Sequence, residues 1–108
     1  MPGHPIAEQR SIELHRAVAE RLRREPALIA RAGERVRGWR ETGAVAAMYA
    51  DAWTRLLALP LDELCAFLVD SSERARALRQ VTPFAGVVDP RTRWRIWRDV
   101  RARFGQGA

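Results

Sequence analysis

The chain has 108 residues, 47% of them hydrophobic and 30% charged. That suffices for one domain with a real core, is short for two, and is too apolar for a disordered chain. The net charge of +6 favours acidic partners, whether nucleic acid or an acidic protein surface, without choosing between them.

Residues 1–9 open with Pro2, Gly3 and Pro5 and read as a flexible leader, followed by a helical domain over 10–105 and a tail over 106–108. A helical period starts near Ser11, with Leu14, Val18 and Leu22 four apart and Glu20 placed to pair with Arg24. Pro26 breaks that helix and can open the next, since proline is tolerated at a first helical position. The second helix runs from about Pro26 to Glu41 on a stripe of Leu28, Ile29, Ala32, Val36 and Trp39, and Thr42-Gly43 ends it. Gly33 and Gly38 weaken it, each by roughly 1 kcal/mol relative to Ala. A third helix spans about Ala44 to Leu59, with Val45, Met48, Tyr49, Ala52, Trp53, Leu56 and Leu57 on one side. After Pro60 a shorter helix covers about Leu61 to Val69, and Asp70-Ser71-Ser72-Glu73 restarts a fifth to Gln80, with Asp70 as the expected cap. Val81 to Val88 is a turn-rich apolar link in which Pro83 fixes a bend, Phe84 is a wedge and Gly86 permits an unusual backbone angle. Asp89 caps the last helix and Pro90 opens it; Trp94, Trp97, Val100 (or Arg101) and Phe104 recur at helical spacing, and Gly105 ends it. No alternating β pattern of useful length occurs. The fold class expected is therefore all-α, a single bundle of about six helices.

Catalytic chemistry is poorly supplied. Cys65 sits among Leu64, Ala66, Phe67 and Leu68, where an apolar setting raises a thiol pKa and leaves it inert. His4 lies in the leader, and His15, between Leu14 and Arg16, is expected to face solvent or an interface. Two histidines and one cysteine so spaced do not form a zinc site, and no glycine-rich phosphate loop is present. No enzyme activity, cofactor, metal or small-molecule substrate is expected. A single cysteine excludes an internal disulfide and suits a reducing compartment. No segment approaches the roughly 18–20 apolar residues of a membrane span. The first residues lack a basic flank and apolar stretch, so no secretory signal is expected and the cytoplasm is the expected location.

All 19 cationic residues are arginine. A GC-rich genome produces that bias through codon usage; selection for planar bidentate donors is the functional alternative. The last helix concentrates them around its aromatic side. It reads as an amphipathic helix packed on the core, as a protein-recognition helix with Trp and Arg anchors, or as a helix tracking phosphates; a membrane-surface helix is a fourth reading, disfavoured because the other helices can bury its apolar side, and no membrane partner is expected. Residues 61–80 also allow a helix-turn-helix, with Arg74, Arg76 and Arg79 available to a DNA groove.

The run Arg76-Ala77-Leu78-Arg79-Gln80-Val81-Thr82-Pro83-Phe84-Ala85-Gly86-Val87, followed by Pro90-Arg91-Thr92-Arg93-Trp94, resembles a C-terminal signature of small actinobacterial-type proteins. Tyr49-Ala50-Asp51-Ala52-Trp53, Pro60-Leu61-Asp62-Glu63-Leu64 and the opening Ser11 to Leu22 fit the same type, so the likeness covers roughly residues 10–104. Such proteins look like antitoxins encoded beside toxins, often of the nucleotidyltransferase-like AbiEii or MenT kind. The resemblance implies the antitoxin of a type II toxin-antitoxin pair that neutralises its cognate toxin by direct protein–protein binding. Some relatives carry an added N-terminal helix-turn-helix of the Xre type; this sequence shows none, which leaves autorepression of the operon an open point. The alternative is a regulator that binds DNA or RNA through the arginine-rich helices. Candidate partner contacts are Arg74, Arg79, Phe84, Arg91, Trp94, Arg95 and Arg98.

Overall fold

The protein is described over residues 5–104 by a computed structural model. Residues 1–4, the expected stop at Gly105 and the tail lie outside the described residues. Six helices follow one another: α1 (Pro5–Arg24), α2 (Ala27–Thr42), α3 (Ala47–Leu57), α4 (Leu61–Leu68), α5 (Glu73–Arg79) and α6 (Pro90–Phe104). The described residues contain no strand, so the all-α expectation holds.

Local chemistry explains most boundaries. Pro26 stands just before α2, and Gly43 closes that helix in the left-handed region at φ 72°, its N–H donating to Trp39 O over 2.9 Å. Asp89 caps α6 as expected: its Oδ1 accepts from Thr92 N at 2.8 Å, and these bonds from Thr92 hold the Asp89 carboxyl below the usual carboxylate pKa.

Four expectations need correction. Helix α1 begins at Pro5, so residues 5–9 of the expected leader are its first turns. Half-buried Ile6 and the ion pair from Arg76 of α5 to Glu8, 3.5 Å, tie that end down, an anchor that apolar spacing does not reveal. Helix α3 starts at Ala47 rather than Ala44, because Thr42 Oγ1 accepts from Ala44 N (3.2 Å) and Ala46 is extended. The cap of α5 is Ser72, whose Oγ accepts from Ala75 N at 3.1 Å; Asp70 instead accepts from Ser72 N. The expected Glu20–Arg24 pair does not form; Arg16 pairs with Glu13 at 3.2 Å, and Arg21 with Glu25, just past the helix end, at 3.4 Å.

Helix α1 is the central element and packs against α2, α4, α5 and α6; α2 lies on α3 and α4 on α5. The core runs through Val18, Leu22, Val36, Trp53, Leu64 and Leu68, all essentially without exposure. Phe84, from the link before α6, meets Trp53 edge-to-face, with ring centres 5.9 Å apart and planes at 79°. Burial of side chains this size contributes roughly 1.5–3 kcal/mol each, before chain entropy opposes it. The link is held from both sides: Arg21 Nη1 donates to Val87 O at 2.9 Å, and Arg93 of α6 donates to Ala85 O. Gly86 is not in the left-handed region, which among the described glycines only Gly43 occupies, so the expected unusual angle does not occur there. Pro83 and Phe84, both buried, give the link its shape.

Candidate docking surface

The seven candidate contact residues divide by burial. Arg74, Arg91, Arg95 and Arg98 are exposed, and Trp94 is 58% exposed. Phe84 and Arg79 belong to the interior, at 1% and 2%. A partner cannot reach these two without unfolding the link or α5, so they are removed from the candidate surface. Phe84 is the plug against Trp53.

Arg79 does a different job. Its Nη1 donates to Leu68 O (3.2 Å) and Asp70 O (2.6 Å), which satisfies carbonyls left free where α4 ends. Burial pushes its pKa down, while the charges of Glu8 and Asp70 oppose that shift. Its Nε and Nη2 are buried and have no partner among the described residues. The neighbouring arginines of α5 are also engaged. Arg76 pairs with Glu8 and with Glu73, and Arg74 lies over the Phe67 ring at 5.4 Å. Of the three arginines a helix-turn-helix would present, one is therefore a buried brace, one an ion-pair partner and one stacked.

His15 is likewise interior rather than solvent-facing, 1% exposed. Its Nδ1 lies 2.8 Å from Ser11 O and its Nε2 2.9 Å from Thr82 Oγ1, which in turn accepts from Phe84 N at 3.1 Å. A carbonyl only accepts, so Nδ1 carries the proton and Nε2 accepts from the Thr82 hydroxyl. The neutral ring is thus fully satisfied and fastens the link to α1. Burial, helped by the nearby Arg79 charge and opposed by the Ser11 bond, lowers its pKa to about 4.

Cys65 is buried, its Sγ 3.7 Å from Ala19 O, and burial pushes the thiol pKa up. Among the described residues no group of three or more His, Cys, Asp or Glu side chains is placed to hold a metal ion. No helix there is long and apolar enough to cross a membrane.

What remains unexplained by folding is one face of α6. The buried line of this helix is carried by Val100, with Thr92 and Ile96 half-buried above it. Of the expected line, Val100 is buried and Trp97 half-buried, while Trp94 and Phe104 are rotated toward the edge, Phe104 being 44% exposed. The Trp94 and Trp97 rings stack with centres 5.6 Å apart and planes at 15°. Two guanidiniums, Arg10 of α1 and Arg101, stand over Trp97 at 5.6 and 5.2 Å. Helix α6 holds six arginines against one acid, Asp99, a net +5 of the chain's +6. Among the described residues none of these six pairs with a carboxylate, whereas Arg16, Arg21, Arg23, Arg40 and Arg76 all do.

Two hollows adjoin the tryptophans. One, about 570 Å³, is walled by Val88, Pro90, Arg93, Trp94 and Trp97; the other, about 370 Å³, lies toward α1, with Arg10, Leu14, Arg93, Ile96 and Trp97 in its walls. Arg93 and Trp97 border both. A larger groove of about 700 Å³ between α1 and α6 carries Glu13, Glu20, Glu25 and Asp89 against Arg16, Arg21, Arg24 and Arg95, a balanced and solvated set.

Comparison with known protein families, with curated proteins and with solved structures finds no match to this chain.

Proposed function

We propose that this protein is a binding module that docks on another protein through α6, and that it acts as the antitoxin of a toxin-antitoxin pair, neutralising its cognate toxin in the cytoplasm. The observation that carries the docking part is the stacked Trp94–Trp97 pair, half outside the core and bordered by guanidiniums that no carboxylate of the described chain engages. Trp and Arg dominate interface hot spots, and a monomer gains little from leaving such a pair in water. The antitoxin part rests on the signature around residues 76–94, whose buried members hold the link and whose last member, Trp94, is the exposed anchor.

The test is co-expression with the product of the neighbouring gene. That product alone should arrest growth, this chain should relieve the arrest, and Trp94→Ala should abolish relief while leaving the melting temperature unchanged. Unimpaired growth when the neighbour is expressed alone defeats the antitoxin reading. The charge of α6 supports one further reading, a nucleic-acid-binding regulator; binding through phosphates would fall steeply as salt rises, whereas binding through tryptophan anchors persists.

A further inference from the structure

We infer that the partner segment seated on α6 is an acidic stretch of polypeptide carrying at least one large apolar side chain, which enters the hollow beside Trp94 while its carboxylates meet Arg10 and Arg101. This rests on the docking reading above and adds the chemistry of what docks.

Charge sets the sign of the occupant. Helix α6 carries most of the chain's net charge, and the guanidiniums of Arg10, Arg93 and Arg101 beside its tryptophans pair with no carboxylate among the described residues. Position sets the kind of anion. Arg10 and Arg101 stand over the Trp97 ring and pair with no carboxylate among the described residues, and a guanidinium can donate in pairs to a carboxylate. Shape supplies the apolar requirement. The hollow between Val88, Pro90 and Trp94 is walled mostly by carbon, with Asp89 the one acid at its edge, a lining that suits an apolar side chain better than a sugar-phosphate. The stack also disfavours nucleic acid. Single strands bind by laying successive bases on free aromatic faces, but Trp97 is covered by Trp94 and two guanidiniums, which leaves this stack the outer face of Trp94 alone.

The experiment is fluorescence anisotropy on the full chain with three labelled probes of similar length: a peptide mixing Glu with Leu and Trp, the same peptide with Ser for Leu and Trp, and an oligothymidylate. The Glu/Leu/Trp peptide should bind, and the Ser peptide should bind at least tenfold more weakly. Trp94→Ala should lose at least tenfold for the first peptide only, and Arg101→Ala should lose affinity for both peptides. Both side chains are exposed, so helicity and melting temperature serve as folding controls. Equal binding of the two peptides reduces the face to bulk charge attraction and overturns the inference. So does tighter binding of the oligothymidylate with displacement of the peptide, or no peptide binding at all. If the peptide fails but growth relief in cells still depends on Trp94, the partner chemistry falls and docking through α6 stands. If the peptide binds as expected and relief fails, the antitoxin role falls and the acidic-segment site stands.

Discussion

Lowering the pH from 7 to 5 is expected to remove about 2 kcal/mol of folding stability through His15 alone, and about 3 kcal/mol by pH 4. In the folded chain Nδ1 donates to Ser11 O and Nε2 accepts from Thr82. A second ring proton would point at the Thr82 hydroxyl, force it to turn, and place a charge in the core near Arg79. The folded pKa of about 4 thus lies below the value near 6.5 of an unfolded chain. Between those values the unfolded state holds more protons, so stability is complete above about pH 6.5 and declines as pH falls toward 4. The carboxylates with lowered pKa, Asp70 and Asp89, lose their contribution below this window, which separates the two effects. Urea unfolding followed by tryptophan fluorescence at pH 7.5, 6 and 5 would measure the slope, in a His4→Gln background so that only one histidine titrates. His15→Gln should cost about 1–2 kcal/mol at pH 7.5 by disturbing a buried network, and should flatten the slope. An unchanged slope in His15→Gln, or stability that does not vary between pH 7.5 and 5, would refute this account.

Two further substitutions probe the frame. Arg79→Ala should lower stability by about 2–4 kcal/mol, because it strands the Leu68 and Asp70 carbonyls and leaves a void, with Arg79→Lys intermediate; folded Arg79→Lys should bind a partner as the native chain does, a result that thermal melts and a binding assay together would check. Within α2 the glycines should respond oppositely: Gly43→Ala should cost about 1 kcal/mol at its left-handed angle, and Gly38→Ala, where an added Cβ meets nothing within 4 Å, should gain about 0.5–1 kcal/mol in a denaturant titration.

The helices were legible because their punctuation is covalent. Pro26, Pro60 and Pro90 and the glycine at 43 impose backbone limits that tertiary structure cannot override. Faces were less legible. On α1 the spacing of Leu14, Val18 and Leu22 draws attention to one line, yet the buried line is Ile12, His15, Val18, Ala19 and Leu22. His15 falls on it at steps of three and four, so its burial was readable from position and hidden by residue type. Arg79 repeats the lesson. It stands four residues after Ala75 and one after Leu78, both buried, on the inward face of α5. An apolar-only pattern skips it, although α4 ends nearby with carbonyls that need a donor. On α6 the large tryptophans suggest the buried stripe, but a helix surrounded by arginine can turn a fraction of a turn at little cost. Packing on α1 selects Val100 and half-buries Ile96, leaving Trp94 outside. A contact surface defined by two tryptophans and a rotated helix depends on tertiary packing, which no local pattern encodes.

The distribution of arginine bears on why so many are present. Codon bias in a GC-rich genome would account for the number of arginines and the absence of lysine, but it predicts no preferred place for them. Arg79 closes the end of α4, and Arg21 and Arg93 bind carbonyls of the link, so these three have acceptors on their own chain. Arg10 and Arg101 instead stand over Trp97 and have no carboxylate partner among the described residues. Six of the nineteen arginines crowd into the fifteen residues of α6, with a single acid among them. Crowding like charge on one helix costs stability through repulsion, a cost that folding alone does not require. Part of it is offset where Arg95 faces the acids of the α1 groove, and an acidic surface on a partner would relieve the rest. Measured stability should therefore rise with salt in the free protein. A chain whose α6 served only to cover α1 would also permit several of those arginines to be exchanged for glutamate with a gain in stability. In the docking protein proposed here, the same exchange at Arg98 should stabilise the free chain and weaken its complex, whereas at Arg95, which faces the acids of the α1 groove, it should destabilise the free chain.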